Sequence, residues 1–585
     1  MQDFSIRVGG AAGEGIATLG EGFCRLFTRN GYHAYGHTAY QSVIRGGHVW
    51  FHARGSPDRI WSLGDGTDVL YALDRQTVDL HAHSLRGGGI VIFDPEKFTF
   101  PPETVPAGAK ILPIPTLEIA RKFASDPILQ GSVGMGAATY FSGLPLETLD
   151  AILTENFERK GAQVLQQNLQ AAHAGYEFAK GKSTPHPAAL APHHGESKML
   201  LTGNQAIALG AAAAGCKLLS QYPMTPATSI MHWMADHSVS LGIVVKQMED
   251  ELGAINAAIG ASHAGVRSMT ASSGGGFSLM VEALGMAAMT ETPLVVAIAQ
   301  RSGPSTGLPT KTEQGDLNLM LGAGQGEFPR IILAPGGVVE AYRQTMDAFR
   351  LSEDWQVPAL VASDFTLSED FQSADRSDFA TDVELPSLFA VSPPSNGSSY
   401  KRYAITPTGV SPRAIPGQKG LAFTAGSDEH DEGGRLVSDV LVGTPAAIQV
   451  RKQMMEKRMR KLHGIVAATP PPPLEGPAHA DVTIIAWGST ACPVRDALGL
   501  LASEGISANL LYVAQPYPLH AKEVAKTILT ARQVLLVEAN YSGELGHLIR
   551  AETGLDIPHK LLKYDGEPFT PHEIVEKVKE IARVR

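Results

Sequence analysis

Cysteine is scarce in this sequence: 585 residues hold three, Cys24, Cys216 and Cys492, all far apart. No CxxC pair occurs, which excludes a disulfide framework and an iron–sulfur site built from local spacing. Such usage fits a reducing, cytoplasmic setting. Long apolar runs are missing as well. The most apolar stretch, 206–214, is Ala/Gly-rich and broken by Gly210, too short to cross a bilayer. The opening MQDFSIRVGG runs into a strand without the apolar centre of a signal peptide. There is no basic run to follow a nucleic-acid backbone, and the net charge of −11 is dispersed. Nor is there a strict GxGxxG. Gly10, Gly13 and Gly15 follow the apolar strand 4–8, but their spacing departs from the dinucleotide fingerprint. A tight turn is the plainer reading there, and nucleotide binding the alternative.

What is present is an ordinary α/β composition, rich in Gly, Ala and Pro, long enough for roughly three or four domains. Residues 1–180 alternate strand and helix. The segment 37–55 places Arg45, Gly46, Gly47 and His48 before a strand, as a site or only a turn. Residues 181–197, full of Pro, His, Ser and Gly, read as a linker. A second α/β unit spans 198–382. Residues 383–479 hold an irregular stretch, read as an arm across a neighbour because a structureless loop of that length is unusual inside a domain. Within it, Asp428, His430, Asp431 and Glu432 could ligate a metal or form a solvated turn. A basic helix follows, suited to a phosphate-bearing ligand or simply solvated. A third α/β unit occupies 480–585, with no catalytic pair of its own.

The most informative stretch is 247–277, QMEDELGAINAAIGASHAGVRSMTASSGGGF. Small and apolar residues recur at helical spacing after Glu251, a strand follows, and Ser-Ser-Gly-Gly-Gly reads as a turn that lets the backbone approach a ligand. On spacing alone, the plainer reading is two αβ units with Glu251 as a solvated helix-start carboxylate. Nearby, YPMTP holds Thr225 between two prolines. The strand 293–300 ends in Arg301, at the edge where open α/β sheets bind ligands; pairing with a carboxylate is the competing role.

Several segments then converge. GNQAIALGAAAAGC, YPMTP, EDELGAINAAIGASHAG, ASSGGGFSLM, QRSGPSTGLPTKTEQGDL, GVSPRAIPG, SDEHDEGG, VEANYSGEL and GEPFTPHEI occur in this order, preceded by SVIRGGH. Together they resemble the α subunit of the 2-oxoacid:ferredoxin oxidoreductases with the γ domain fused in front. The resemblance covers nearly the whole chain. It implies an α/β fold of three domains: a Rossmann-like γ domain, a thiamine-diphosphate pyrimidine-binding domain and a transketolase C-terminal-like domain. It also implies Glu251 as the catalytic proton handle at the aminopyrimidine of thiamine diphosphate, with Thr225, Ser273, Gly274 and Phe277 beside the cofactor. Thr225 and Arg301 match residues that hold the 2-oxo acid end, and Thr310 a position near the substrate side chain. CoA is the co-substrate.

The same resemblance explains an absence. Gly64-Asp65-Gly66 mimics the GDG of thiamine enzymes, but residues 87–96 hold no Asn to complete an Mg²⁺ site, so Asp65 reads as a turn. In two-subunit members of the family, Mg²⁺ and the [4Fe-4S] cluster belong to the β subunit. No metal site is therefore expected on this chain; a β partner, an (αβ)₂ assembly and ferredoxin are. The fused form of this length most resembles 2-oxoglutarate enzymes, whose second substrate carboxylate calls for another cation: Lys311, Arg45 or His48. Pyruvate or a broad 2-oxoacid range is the runner-up. A non-catalytic Rossmann-like nucleotide-binding scaffold and a non-redox thiamine enzyme are the alternatives of other classes.

Overall fold

The computed structural model describes residues 3–41, 46–124, 127–191, 193, 195–380, 391–392, 399–437 and 443–583; Arg45 lies outside them. Three sheets organise the chain. The first contains β1 (Phe4–Ala11), β2 (His33–Ala39), β3 (His48–Ser56), β4 (Thr67–Ala72), β5 (Leu85–Phe93) and β6 (Lys110–Pro113). Their alternation of Phe, Ile and Val with small residues fills one core around Phe23, Phe27, Phe51 and Phe141.

The chain then enters β7 (Met199–Thr202) and a second sheet made of β8 (Leu218–Gln221), β9 (Val244–Gln247), β10 (Ser268–Ser272), β11 (Leu294–Gln300), β12 (Ile331–Leu333) and β13 (Pro358–Asp364), after which comes β14 (Phe371–Ala374). The second sheet is parallel throughout, in the order β12-β13-β11-β10-β8-β9. Its central strands are buried on both faces, as the Val/Ile/Ala run of β11 requires. β7 and β14 do not join it. They pair antiparallel with each other, and β14 pairs with β2, so the first sheet reads β6-β5-β4-β1-β3-β2-β14-β7. The second α/β unit is thus stitched to the first by two strands lying inside 198–382.

The third sheet comprises β15 (Leu474–Glu475), β16 (Val482–Ala486), β17 (Ala508–Tyr512), β18 (Val534–Glu538) and β19 (His559–Leu562), in the order β15-β17-β16-β18-β19. One core joins it to the second unit, with Ile255, Phe277 and Leu284 packed in the same cluster as Trp487, Leu536 and Leu545.

Among the described residues, no named helix or strand lies between Phe379 and Pro445. The arm is nevertheless pinned. Arg402 donates to the Glu291 carbonyl at 2.7 Å and to Gln356 Oε1 at 2.9 Å. The basic helix Pro445–Ala468 turns Lys457, Arg458 and Lys461 inward. Both lysines pair with the fully buried Glu291, Lys461 at 2.7 Å, and Arg458 pairs with Glu429. These cations hold the arm rather than face solvent or a phosphate. Two carboxylates of 428–432 are likewise engaged: Asp431 Oδ1 accepts from the amides of Gly433 and Arg435, and Glu432 from Lys401 and the Ile405 amide. No described helix is long and apolar enough to cross a membrane.

Candidate active site

Four loops leave the carboxyl ends of four adjacent parallel strands, β9, β8, β10 and β11, at one edge of the second sheet. That edge is where open α/β sheets take ligands. β8 leads to Met224 and Thr225, β9 to Glu251, β10 to Ser273 and the glycines, and β11 to Arg301. Strand order, not proximity in sequence, brings them together.

Glu251 opens the helix Glu251–His263, whose cap is Asp250: its carboxylate accepts from the Gly253 amide at 2.7 Å. Because Asp250 serves the helix, Glu251 does not have to. Its side chain turns inward, 3 % exposed, and Ser272 Oγ donates to Oε1 at 3.5 Å.

The Ser-Ser-Gly-Gly-Gly segment is not a turn but the start of the helix Gly274–Met289. Three glycines are poor helix formers, and packing explains them. A Cβ on Gly276 would fall 2.9 Å from Glu251 Cδ and nearer still to its Oε1 and to Ser272 Oγ. A Cβ on Gly274 would fall 2.5 Å from Asp316 Cγ. Gly275 meets nothing within 4 Å and faces open space. The first amides of this helix have no intrahelical acceptor and carry its positive end. Ser273, at the N-cap position, is fully buried, and its Oγ has no partner.

These groups line a pocket of about 450 Å³ bounded by Met224, Ser273, Gly274, Gly275, Arg301 and Asp316, among others. Arg301 is the one cation among the described lining residues, and Asp316 the one acid. The guanidinium is fixed by donating Nη1 to the Thr225 carbonyl at 2.8 Å, so the YPMTP loop and the end of β11 form one unit.

The other expected site residues lie elsewhere. Phe277 is fully buried in the core beneath the pocket. Thr310 is buried and Lys311 pairs with Glu567 of the third unit; neither lines the Arg301 pocket. His48 belongs to a buried cluster on the first sheet. Its Nε2 lies 2.9 Å from His81 Nε2, and Arg7 bridges His81 and His52. Burial lowers the pKa of all three imidazoles, His81 to about 3. The three imidazoles are therefore neutral, Arg7 carries the cluster's charge, and His48 offers no cation. Asp65 sits in a bend and accepts from the His572 amide at 3.1 Å. At the first glycine turn, Glu14 accepts from the Ala11 amide at 2.9 Å and pairs with Lys97, placing a carboxylate where a nucleotide phosphate would need donors. Asp316, within KTEQGDL, was not singled out by the sequence; an Asp before a short apolar helix reads as a cap.

The residues fit the aminopyrimidine half of thiamine diphosphate. A buried carboxylate stands at a glycine cradle that side chains would fill, beside an unpartnered buried hydroxyl and the free amides of a long helix. Among the described residues, no group of three or more His, Cys, Asp or Glu side chains could hold a metal ion.

Residues 209–443 match the family model described as pyruvate flavodoxin/ferredoxin oxidoreductase, thiamine diphosphate-binding, and residues 5–178 match that of pyruvate ferredoxin/flavodoxin oxidoreductase. The solved 2-oxoglutarate:ferredoxin oxidoreductase from Magnetococcus marinus, described with 2-oxoglutarate, coenzyme A and succinyl-CoA bound, is 34% identical, covers 100% of both chains and superposes with a TM-score of 0.91. The 2-oxoglutarate oxidoreductase subunit KorA of Mycobacterium tuberculosis is 28% identical over 98% of this chain and 91% of its own. Subunit alpha of the 2-oxoacid:ferredoxin oxidoreductase 2 of Aeropyrum pernix is 30% identical over 99% of this chain and 98% of its own. Matched end to end with such subunits, the chain belongs to the 2-oxoacid:ferredoxin oxidoreductase α-subunit family.

Proposed function

We propose that this chain is the γ-fused α subunit of a 2-oxoglutarate:ferredoxin oxidoreductase. The complex converts 2-oxoglutarate and CoA to succinyl-CoA and CO₂ and passes two electrons to ferredoxin, or runs the reverse. The observation that carries this reading is that the Ser273–Gly275 helix start and Arg301, braced on Thr225, line one pocket, with the buried Glu251 carboxylate bonded to Ser272 next to Ser273 in the chain. The Magnetococcus likeness favours 2-oxoglutarate over pyruvate.

Thiamine diphosphate, when bound, supplies the nucleophilic carbon for the 2-oxo group. Glu251 holds and returns a proton at the aminopyrimidine. Arg301, braced on Thr225, orients the substrate's 1-carboxylate by charge-assisted bonds, and Ser273 with the helix amides receives negative charge. The diphosphate, Mg²⁺ and the [4Fe-4S] cluster are assigned to a β subunit, in an (αβ)₂ complex that delivers to ferredoxin. Three free, buried cysteines support a reducing, cytoplasmic setting.

The test is co-purification with the partner subunit, then viologen reduction with 2-oxoglutarate, pyruvate or 2-oxobutyrate, each with CoA. The complex is expected to prefer 2-oxoglutarate, and this chain alone to be silent. Reduction by the isolated chain would overturn the shared-site reading; equal rates on all three acids would replace 2-oxoglutarate with a broad range.

A further inference from the structure

Resting on that functional reading, the charge of the pocket raises a problem. 2-Oxoglutarate is a dianion, yet the described lining residues provide one cation, Arg301, and set an acid, Asp316, beside it. Two further carboxylates stand near Asp316, and both are occupied. Ser302 Oγ donates to Glu313 Oε2 at 2.6 Å, and the Asn318 amide to Glu544 Oε2 at 3.0 Å.

Asp316 differs from both. It stands at the N-cap position of the helix Leu317–Gly322, where an Asp ordinarily accepts a helix amide, yet its side chain makes no cap bond. Its backbone is fixed, with its N–H donating to Gln300 Oε1 at 3.0 Å. Its carboxyl group lies against Gly274, where only a residue without a Cβ leaves room. It is thus held at the amino end of the Gly274–Met289 helix and faces the cavity.

We propose that Asp316 is a specificity-determining residue which the anionic 2-oxoacid meets as a carboxylic acid: substrate enters with a proton on Asp316, whose O–H donates to a substrate oxygen that a carboxylate would repel. Below the free-enzyme pKa the acid already carries its proton; above it, up to one proton is taken up from solvent on binding and returned on release, so the reaction's own balance is unchanged. The electrostatics agree. Burial, then Glu544 and Glu313, push the Asp316 pKa up to about 7, against the pull of Arg301. The substrate's charge pushes it further. The groups facing Asp316 are Arg301 from the end of β11, Glu313 from the loop that follows, Glu544 from the third unit and the helix start at Gly274.

The sign follows from linkage. If only the protonated form admits substrate, affinity is full below the free-enzyme pKa and falls about tenfold per pH unit above it. The experiment uses the assembled, cofactor-loaded complex. It measures kcat/KM for 2-oxoglutarate, and the competitive Ki of glutarate as an inert dicarboxylate, from pH 6 to 8.5. Wild type is expected to lose affinity on both measures above about pH 7. Asp316→Asn keeps a donor and removes the charge, and both profiles should become flat. Glu544→Gln and Gly274→Ala keep the acid and change its surroundings. The first should move the midpoint down, and the second should move it by displacing the carboxyl group. A wild type that turns over with a flat profile, or an Asp316→Asn profile that keeps the wild-type slope, overturns the proposal. A wild type inert toward every 2-oxoacid overturns the functional reading and this one with it.

Discussion

Gly276→Ala separates the chemistry of the site from the stability of the fold. The added Cβ would lie 2.9 Å from Glu251 Cδ, against an ordinary contact of 3.4–4 Å, with Glu251 Oε1 and Ser272 Oγ closer still. The backbone on either side belongs to a regular helix and a buried strand, so the ends of two side chains must yield. Both are buried and have nowhere to swing freely, so the Glu251 carboxylate retreats by about 1 Å, a misplacement that can cost 10²-fold. Stability should respond far less. Alanine in a helix gains roughly 0.5–1 kcal/mol over glycine, and overpacking costs roughly 1–3 kcal/mol, leaving a net loss of about 0–2.5 kcal/mol. The assay is viologen reduction by the assembled complex, paired with thermal unfolding of the same preparation. Gly285→Ala is the control, in the same helix, where a Cβ meets only Phe328 Cε1 at 3.8 Å; it should leave turnover unchanged and raise the unfolding midpoint slightly. Glu251→Gln sets the floor of activity. Gly276→Ala turnover within threefold of wild type would refute the placement of Glu251 at the reacting centre.

Arg301→Ala removes the one cation among the described lining residues and its bond to the Thr225 carbonyl. Charge-assisted bonds of this kind predict about a 10²-fold loss in kcat/KM, and an unchanged value would reassign the residue to a structural role. Glu291→Ala strands Lys457 and Lys461 in the interior without their carboxylate. Breaking a buried pair typically costs about 3–5 kcal/mol, so unfolding should begin at lower temperature and trypsin should cut within 399–437; an unaltered digest would show that the arm is held by other contacts. Glu538 is fully buried, with Trp487 Nε1, Asn540 Nδ2 and the Leu545 amide all donating to Oε1 and nothing among the described residues donating to Oε2. Burial raises its pKa from 4.5 to about 7. The folded state therefore holds a proton that the unfolded state gives up near 4.5, and stability falls as pH rises between the two values. Glu538→Gln should gain about 3 kcal/mol relative to wild type between pH 4.5 and 8, measured as paired urea titrations; a pH-independent difference would refute it.

What the sequence made legible is what local chemistry specifies. The Asp250 cap fixes where the helix behind Glu251 begins, and the Val/Ile run of β11 puts Arg301 at a strand's carboxyl end whatever lies around it. What it hid depends on partners far away in the chain. β7 and β14 look like members of the second sheet, but β14 takes its register from β2, some 335 residues away, and β7 takes its own from β14. The glycines after Ser273 look like a turn because their propensity is poor, and only the closeness of Glu251 and Asp316 shows why a helix must start with them. Lys311 and His48 read as cations on paper. One is neutralised by Glu567, 256 residues on, and the other by burial. The basic helix Pro445–Ala468 reads as solvated because Glu291 and Glu429, its acceptors, come from other segments.

Three exposed leucines on the elements that carry the site residues bear on why the site is read as shared. Leu252 on the first turn behind Glu251, Leu279 on the second turn of the glycine-started helix and Leu308 in the loop after Arg301 are 48%, 50% and 51% exposed. Each belongs to an element that also carries a site residue, so whatever covers one pocket-forming segment also gains apolar area there. Covering the remaining half of three leucines contributes roughly 2–4 kcal/mol. That is too little to hold a complex alone, but it biases where a partner closes. Closure there would also raise the worth of every charge already in the pocket, because Arg301, Asp316 and the helix amides act more strongly once water is excluded. The Glu251 side of the site is buried and bonded by this chain, while its substrate side remains open. On the proposed reading, a second subunit closing over that open side would complete the low-dielectric enclosure around Arg301 and Asp316.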